Sequence, residues 1–141
     1  MNVMDPVLAF PPLAPRTTGI SRAEIWTGRV LTGLVAAFLS VDAVAKLIPL
    51  APVVEATQKL GFSADVIRPL GLVLAVSTVL HVVPRTRLLG AVLLSAYLGG
   101  ATATHVHAGT PFWCPVAMGV ILWIAYGLRS SQLRSLVLSA R

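Results

Sequence analysis

Residues 25–48 read IWTGRVLTGLVAAFLSVDAVAKLI, a largely apolar run that stops immediately before Pro49. Its length matches the roughly 20 residues that an α-helix needs to cross the hydrocarbon core of a bilayer. Ser21 precedes it as a candidate N-cap, and Glu24 stands three residues later, as a capping box requires. The segment therefore predicts a membrane-spanning helix, and it directs the interpretation of the rest of the chain.

The composition of the whole chain agrees with a membrane protein. Of 141 residues, 56% are hydrophobic and 11% are charged, whereas ordinary soluble domains carry roughly 25% charged residues. These values exclude a water-soluble globule, a disordered chain and a collagen-like repeat, and the single cysteine, Cys114, excludes a disulfide scaffold. Four spans of roughly 20 residues need about 80 residues, which the chain supplies together with short loops.

Three more apolar segments predict three more spans, at about residues 66–83, 88–104 and 112–128. A short helix at residues 52–60 is expected on the membrane surface between the first two spans, with Glu55 and Lys59 spaced to pair. We therefore predict an all-α integral membrane four-helix bundle in which short loops make neighbouring spans antiparallel. Its domains are a flexible, proline-containing lead-in, the transmembrane domain and a tail, at residues 1–20, 21–136 and 137–141.

Basic residues lie at the ends of the apolar runs, and they give the chain a net charge of +6. They do not interleave with aromatic residues along one face, so no nucleic acid is expected as a partner. Eight of them fall on the side that carries both termini and three on the other side. The positive-inside rule then predicts cytoplasmic N- and C-termini, and we expect an integral protein of a bacterial cytoplasmic membrane.

Asp42 and Lys46 are the most informative ionisable residues, because a charge inside a span is costly without a partner. They lie four residues apart near the end of the first span, and therefore on one helix face. Two interpretations stay open. The pair either neutralises itself and lets a polar face meet neighbouring helices, or it also contacts a ligand or a proton path.

The third span carries two stripes of small residues at four-residue spacing, which predict close helix packing. The stripes are Ser95/Gly99/Ala103 and Ala96/Gly100/Thr104. His105 and His107 follow, on the side where Asp42 and Lys46 lie, and the inward stripe is expected to include His107. Because two residues turn a regular helix by about 200°, the two histidines do not converge on one metal ion, and no metal site is predicted.

Two other polar residues receive structural interpretations. His81 is expected near the inner interface, with its polar tip reaching headgroups or the loop around Arg85. Cys114 is expected to be a small packing residue. The catalytic candidates are therefore Asp42, His105 and His107.

Several strings resemble the DoxX-like family of small four-helix membrane proteins over about residues 26–136. They are FLSVDAVAKL (38–47), VVEATQKLGF (53–62), VVPRTRLLGAVLLSAYLGGATATHVHAG (82–109) and LRSSQLRSL (128–136). The resemblance carries over Asp42, Lys46, Tyr97 and His105 as members of the shared motif. With His107 added from its position, these five residues are the candidate ligand-binding set.

The resemblance implies a membrane subunit associated with a thiosulfate:quinone type of oxidoreductase system, with a quinone or a bound lipid as the ligand. Two other functions stay open: a non-catalytic accessory or assembly protein, and a small membrane enzyme that performs acid/base chemistry on a lipophilic substrate. The expected partners are membrane lipids and another membrane protein or redox partner. The small-residue stripes also leave room for a homodimer.

Overall fold

Residues 21–130 and Leu133 are described by a computed structural model, and they contain five α-helices and no strand. The helices are α1 (Arg22–Leu47), α2 (Ala51–Lys59), α3 (Ala64–Val82), α4 (Arg87–His107) and α5 (Trp113–Arg129). The predicted all-α class is confirmed. The predictions for the lead-in 1–20, for the tail 137–141 and for most of 131–136 lie outside the described residues.

The described residues contain five helices rather than the four of the predicted bundle, because the short helix expected at residues 52–60 is formed as well, as α2. Three helices, α1, α3 and α4, are long and apolar enough to cross a membrane. Helix α5 is apolar but shorter, at 17 residues, the lower end of the range that crosses hydrocarbon. The long helices and α5 form the bundle, and α2 contacts only α1 and α3.

The four bundle helices form a closed ring in which each packs against two neighbours. Helix α1 contacts α3 and α5, and α4 contacts the same two helices from the opposite corner. The centre is filled by apolar side chains that are almost fully buried: Val35, Leu39, Leu74, Ala91, Leu94 and Leu122. The outer surface carries large apolar side chains as well, such as Trp26 (63% exposed) and Val41 (71% exposed). Such a surface suits contact with lipid rather than with water.

Two of the glycines show close approaches between neighbouring helices. A Cβ atom at Gly90, at the start of α4, would lie 2.1 Å from the backbone nitrogen of His81 at the end of α3. A Cβ atom at Gly71, at the start of α3, would lie 2.8 Å from the Cβ of Lys46 at the end of α1. Both contacts join the start of one helix to the end of its neighbour, so the predicted antiparallel arrangement is confirmed.

The helix ends show which local signals were reliable. The predicted capping box is present, since Ser21 Oγ accepts from the backbone N–H of Glu24 and the Glu24 carboxylate accepts from the N–H of Ser21. Gly61, after α2, adopts a positive φ of 90°, as expected for a C-terminal glycine. The second span begins earlier than expected, at Ala64, so that Pro69 lies inside α3 rather than in its first turn.

Candidate functional site

The bundle has two polar ends, which we name by their residues. At the arginine-rich end, α1 and α4 begin and α3 and α5 end, and the described arginines there are Arg22, Arg29, Arg85, Arg87 and Arg129. At the α2 end, α1 and α4 end and α3 and α5 begin, and Asp42 and Lys46 approach this end along α1. The residues predicted from sequence belong mainly to the α2 end.

Asp42 and Lys46 form the predicted ion pair, with Lys46 Nζ donating to Asp42 Oδ1 across one helical turn. The Lys46 side chain is 13% exposed and the Asp42 side chain is 36% exposed. Within the described residues this is the only salt bridge. The expected pair between Glu55 and Lys59 on α2 does not form; both side chains are exposed, where an ion pair gains little.

The position of Lys46 is set by the contact between α1 and α3. Gly71 has no side chain, so α3 approaches the Lys46 Cβ and the carbonyl oxygen of Ala43 closely. The stem of Lys46 is thereby enclosed between two helices while its ammonium group turns back to Asp42. The pair is therefore part of a helix interface and is held in a defined place.

Tyr97, near the middle of α4, belongs with this pair. Its ring is partly buried against the central apolar cluster, and its hydroxyl interacts electrostatically with the Asp42 carboxylate. Across the described residues, no hydrogen bond to that hydroxyl is formed. Asp42 and Lys46 on α1 therefore supply a carboxylate and an ammonium group, and Tyr97 supplies a phenol from α4, at the opposite corner of the ring.

The two histidines do not join this group. Helix α4 extends beyond the expected end at residue 104 and includes both, so they point to different sides of a regular helix. His105 is half-buried, and its Nδ1 is hydrogen-bonded to Thr110 Oγ1 at 2.8 Å. His107 is exposed, and neither ring is hydrogen-bonded to Asp42 in the described part of the chain. The same residues contain no group of three or more side chains suited to a metal ion.

The middle of the small-residue stripes on α4 faces away from the bundle, contrary to the prediction of packing within it, whereas Ser95 at one end accepts a hydrogen bond from Trp123 on α5. Ala96 and Ala103 are exposed, and a Cβ atom at Gly99 or Gly100 would meet no atom within 4 Å. His107 lies on this outer face and not on an inward one. The spacing of small residues indicates that a backbone can be approached closely, but it does not indicate by which neighbour.

The sequence did not reveal a groove at the α2 end. The groove is about 520 Å³ in volume and is lined by Pro49, Val54, Ala64, Asp65 and Arg68.

The position of His81 differs from the prediction. His81 is buried rather than reaching headgroups, because α4 packs directly over it at Gly90. Its predicted proximity to the loop is confirmed by a 3.4 Å contact between its Nδ1 and the carbonyl oxygen of Arg87.

Arg129 is a further functional candidate that the sequence did not single out. Its Nη1 donates to Thr32 Oγ1 at 3.0 Å, joining the end of α5 to the start of α1. Thr32 donates in turn to the carbonyl oxygen of Gly28. The sequence separation of 97 positions between Thr32 and Arg129 explains why no local pattern revealed this contact. Cys114 is an exposed free thiol, so the prediction of a packed residue is wrong.

Comparison with known proteins gives one family. A model of the DoxX-like family matches residues 30–127, well over half of the chain. No curated protein and no solved structure matches the chain. The matched range contains Asp42, Lys46 and Tyr97, together with both α4 histidines.

Proposed function

The chain belongs to the DoxX-like family, and on this premise we propose that it is a membrane subunit that binds a quinone or a lipid for an oxidoreductase system. The binding group is Asp42, Lys46 and Tyr97. The protein's own task is to hold and orient the lipophilic molecule, while a partner protein exchanges the electrons. The proposed location is the bacterial cytoplasmic membrane, with the arginine-rich end toward the cytoplasm.

The observation that carries this proposal is the ion pair within residues 30–47 of α1, a stretch that contains no other charged residue. Charged side chains within a span are costly and commonly mark functional sites. The Asp42 carboxylate and the Lys46 ammonium group satisfy one another, so that the site is neutral overall. A neutral polar site beside lipid suits a neutral ligand with oxygen atoms, such as a quinone ring or an ester-linked lipid.

The geometry offers such a ligand both polarities of hydrogen bond. The ammonium group of Lys46 and the hydroxyl of Tyr97 donate to carbonyl oxygens, and the carboxylate of Asp42 accepts from a reduced ring hydroxyl. The part-exposed Asp42 side chain faces the edge of the bundle, where a hydrophobic ring or tail remains in contact with lipid. His105 and His107, being outside this group, take no role in it.

Quinone retention tests the proposal directly. Purified wild-type protein in maltoside micelles is equilibrated with a short-chain ubiquinone, and retained quinone and co-purified lipid are quantified after gel filtration. We expect Asp42→Asn and Lys46→Gln each to weaken the retention of the bound ligand, whether quinone or lipid, by about tenfold or more. Each substitution removes a charge-assisted hydrogen bond.

The chain supplies a matched control for this experiment. Glu55 and Lys59 also combine an acidic and a basic residue four positions apart at the same end of the bundle, but they form no ion pair. Glu55→Gln and Lys59→Gln should therefore retain quinone and lipid as the wild type does. If all four variants behave alike, the Asp42–Lys46 pair does not bind the ligand and the proposal fails.

A second function is favoured by the outer face of α4. Gly99 and Gly100 leave the α4 backbone open to close approach by a helix outside this chain. We propose as the alternative a non-catalytic accessory protein that packs this face against a membrane partner, the simplest being a second copy. Energy transfer between two labelled populations in nanodiscs should then occur for the wild type and fall for Gly100→Ile; equal transfer in both would contradict this function.

A further inference from the structure

The arginine-rich end contains a cluster of two arginines and a buried histidine that the proposed function does not use. His81 comes from the end of α3, Arg87 from the start of α4 and Arg129 from the end of α5. His81 is 1% exposed, and both arginines are half-buried. Each arginine interacts electrostatically with His81, and the two interact with one another. Three helices therefore contribute an imidazole and two guanidinium groups to this end of the bundle.

Two polar atoms of this cluster are buried without a hydrogen-bond partner among the described residues: His81 Nε2 and Arg87 Nε. The other ring nitrogen of His81 lies 3.4 Å from the carbonyl oxygen of Arg87. Because a carbonyl oxygen only accepts, Nδ1 carries the hydrogen there, and Nε2 of the neutral ring is left as an acceptor. Buried polar groups are normally paired. Here the Arg87 Nε–H donor and the His81 Nε2 acceptor both lack a hydrogen-bond partner among the described residues.

The cluster also has an uncompensated charge. The salt bridge found in residues 21–130 joins Asp42 and Lys46, so Arg87 and Arg129 form no ion pair with a described carboxylate. Arg29 on α1 adds further positive charge near Arg129. The hydrogen bond from Arg129 to Thr32 fixes the guanidinium group but brings no negative charge.

We propose that His81, Arg87 and Arg129 form a binding site for a phosphate-type oxyanion. Guanidinium groups match phosphate oxygens in geometry and charge. An oxyanion would accept from Arg87 Nε and neutralise both arginines, and a protonated phosphate oxygen or a headgroup hydroxyl would donate to His81 Nε2. The oxyanion comes either from a lipid headgroup, since the cluster lies at the helix ends where headgroups reside, or from free phosphate.

Thermal unfolding with defined additives tests this site. Delipidated full-length protein in maltoside is titrated with dilauroyl phosphatidylglycerol, with dilauroylglycerol, which has the same chains without phosphate, and with sodium phosphate against sodium chloride at equal ionic strength. We expect phosphatidylglycerol to raise the unfolding temperature and dilauroylglycerol not to do so. An equal rise with sodium phosphate identifies free phosphate as sufficient, and a rise with phosphatidylglycerol alone identifies the lipid as the source.

Single substitutions then locate the effect. Arg87→Gln and Arg129→Gln should need about tenfold more of the effective phosphate compound, because each removes a charge-assisted contact. Arg85→Gln is the matched control, since Arg85 is exposed at the same end, and it should respond as the wild type does. Arg87→Lys keeps the positive charge but lacks the planar guanidinium group. The concentration of phosphate compound that it needs should lie between those of the wild type and Arg87→Gln.

Two outcomes would overturn the site. If wild-type protein responds to neither phosphate compound more than to its matched control, no oxyanion is bound. If Arg85→Gln, Arg87→Gln and Arg129→Gln all respond equally, the response comes from general surface charge. Neither outcome bears on quinone or lipid retention at Asp42 and Lys46, so this proposal and the proposed function stand or fall separately.

Discussion

The ion pair between Asp42 and Lys46 predicts an energetic coupling that a double-mutant cycle measures. Asp42→Ala leaves the Lys46 ammonium group without its partner between α1 and α3. The double variant Asp42→Ala/Lys46→Met removes both charges and keeps an unbranched apolar stem next to Gly71. If the ion pair stabilises this interface, Asp42→Ala lowers the free energy of unfolding, and adding Lys46→Met restores most of the loss.

The magnitude follows from how deeply the pair is buried. Removing one partner of a fully buried pair costs about 3–5 kcal/mol. Asp42 is 36% exposed and Lys46 13% exposed, and Lys46 lies one residue before the end of α1, from where a long side chain reaches the interface. We therefore expect Asp42→Ala to cost about 1–2 kcal/mol and the double variant to lie within about 1 kcal/mol of wild type.

The assay is equilibrium unfolding in mixed micelles with an increasing fraction of dodecyl sulfate, followed by tryptophan fluorescence and circular dichroism. The cycle Glu55→Ala/Lys59→Met on α2 is the control and should show no coupling beyond about 0.3 kcal/mol. Coupling of about 1 kcal/mol between Asp42 and Lys46 supports the argument. If the two changes are additive within about 0.3 kcal/mol, the pair contributes nothing as a pair and the reasoning is wrong.

The remaining predictions concern packing, a hydrogen bond and topology. A Cβ at Gly90 would lie 2.1 Å from the α3 backbone, whereas one at Gly99 would meet nothing within 4 Å. In the same titration Gly90→Ala should lower the free energy of unfolding by about 3 kcal/mol or more, and Gly99→Ala should change it by no more than about 0.5 kcal/mol. Equal changes in the two variants would contradict the packing. Trp123→Phe removes a 2.8 Å hydrogen bond to α4 and should lower the unfolding free energy by about 0.5–1.5 kcal/mol, and no change would show that the bond is not formed. In a Cys114→Ser background, Arg85→Cys should react with an impermeant maleimide only after cells are permeabilised, and labelling of intact cells would reverse the topology.

Much of the fold follows from local sequence signals. Run length and proline positions predict the helices, because the bilayer thickness fixes how long an apolar helix must be. Ser21 and Glu24 predict the start of α1, because a capping box is local chemistry. The Asp42–Lys46 pair is equally local, since four residues bring two side chains to one helix face.

The failures share a different physical cause. A membrane helix is apolar on all sides, so its sequence does not distinguish a face that meets another helix from one that meets lipid. This is why the small residues of α4 were assigned to the interior although Gly99 and Gly100 face outward. The burial of His81 depends on Gly90 in the next helix, and the contact of Arg129 with Thr32 joins opposite ends of the chain. Such relations exist only after the helices have packed.

The two polar ends differ in how their charge is balanced, and this difference bears on what each end binds. At the Asp42–Lys46 pair the carboxylate already neutralises the ammonium group, so an anion or cation added at that pair would gain no unopposed charge. At the arginine-rich end Arg87 and Arg129 repel one another and lack a described carboxylate partner. In a medium of low dielectric constant such repulsion is weakly screened, and an anion removes it. Charge balance therefore favours the proposed neutral lipophilic ligand at the Asp42–Lys46 pair and the proposed oxyanion at the arginine-rich end, so the two proposed ligands would not compete for one site.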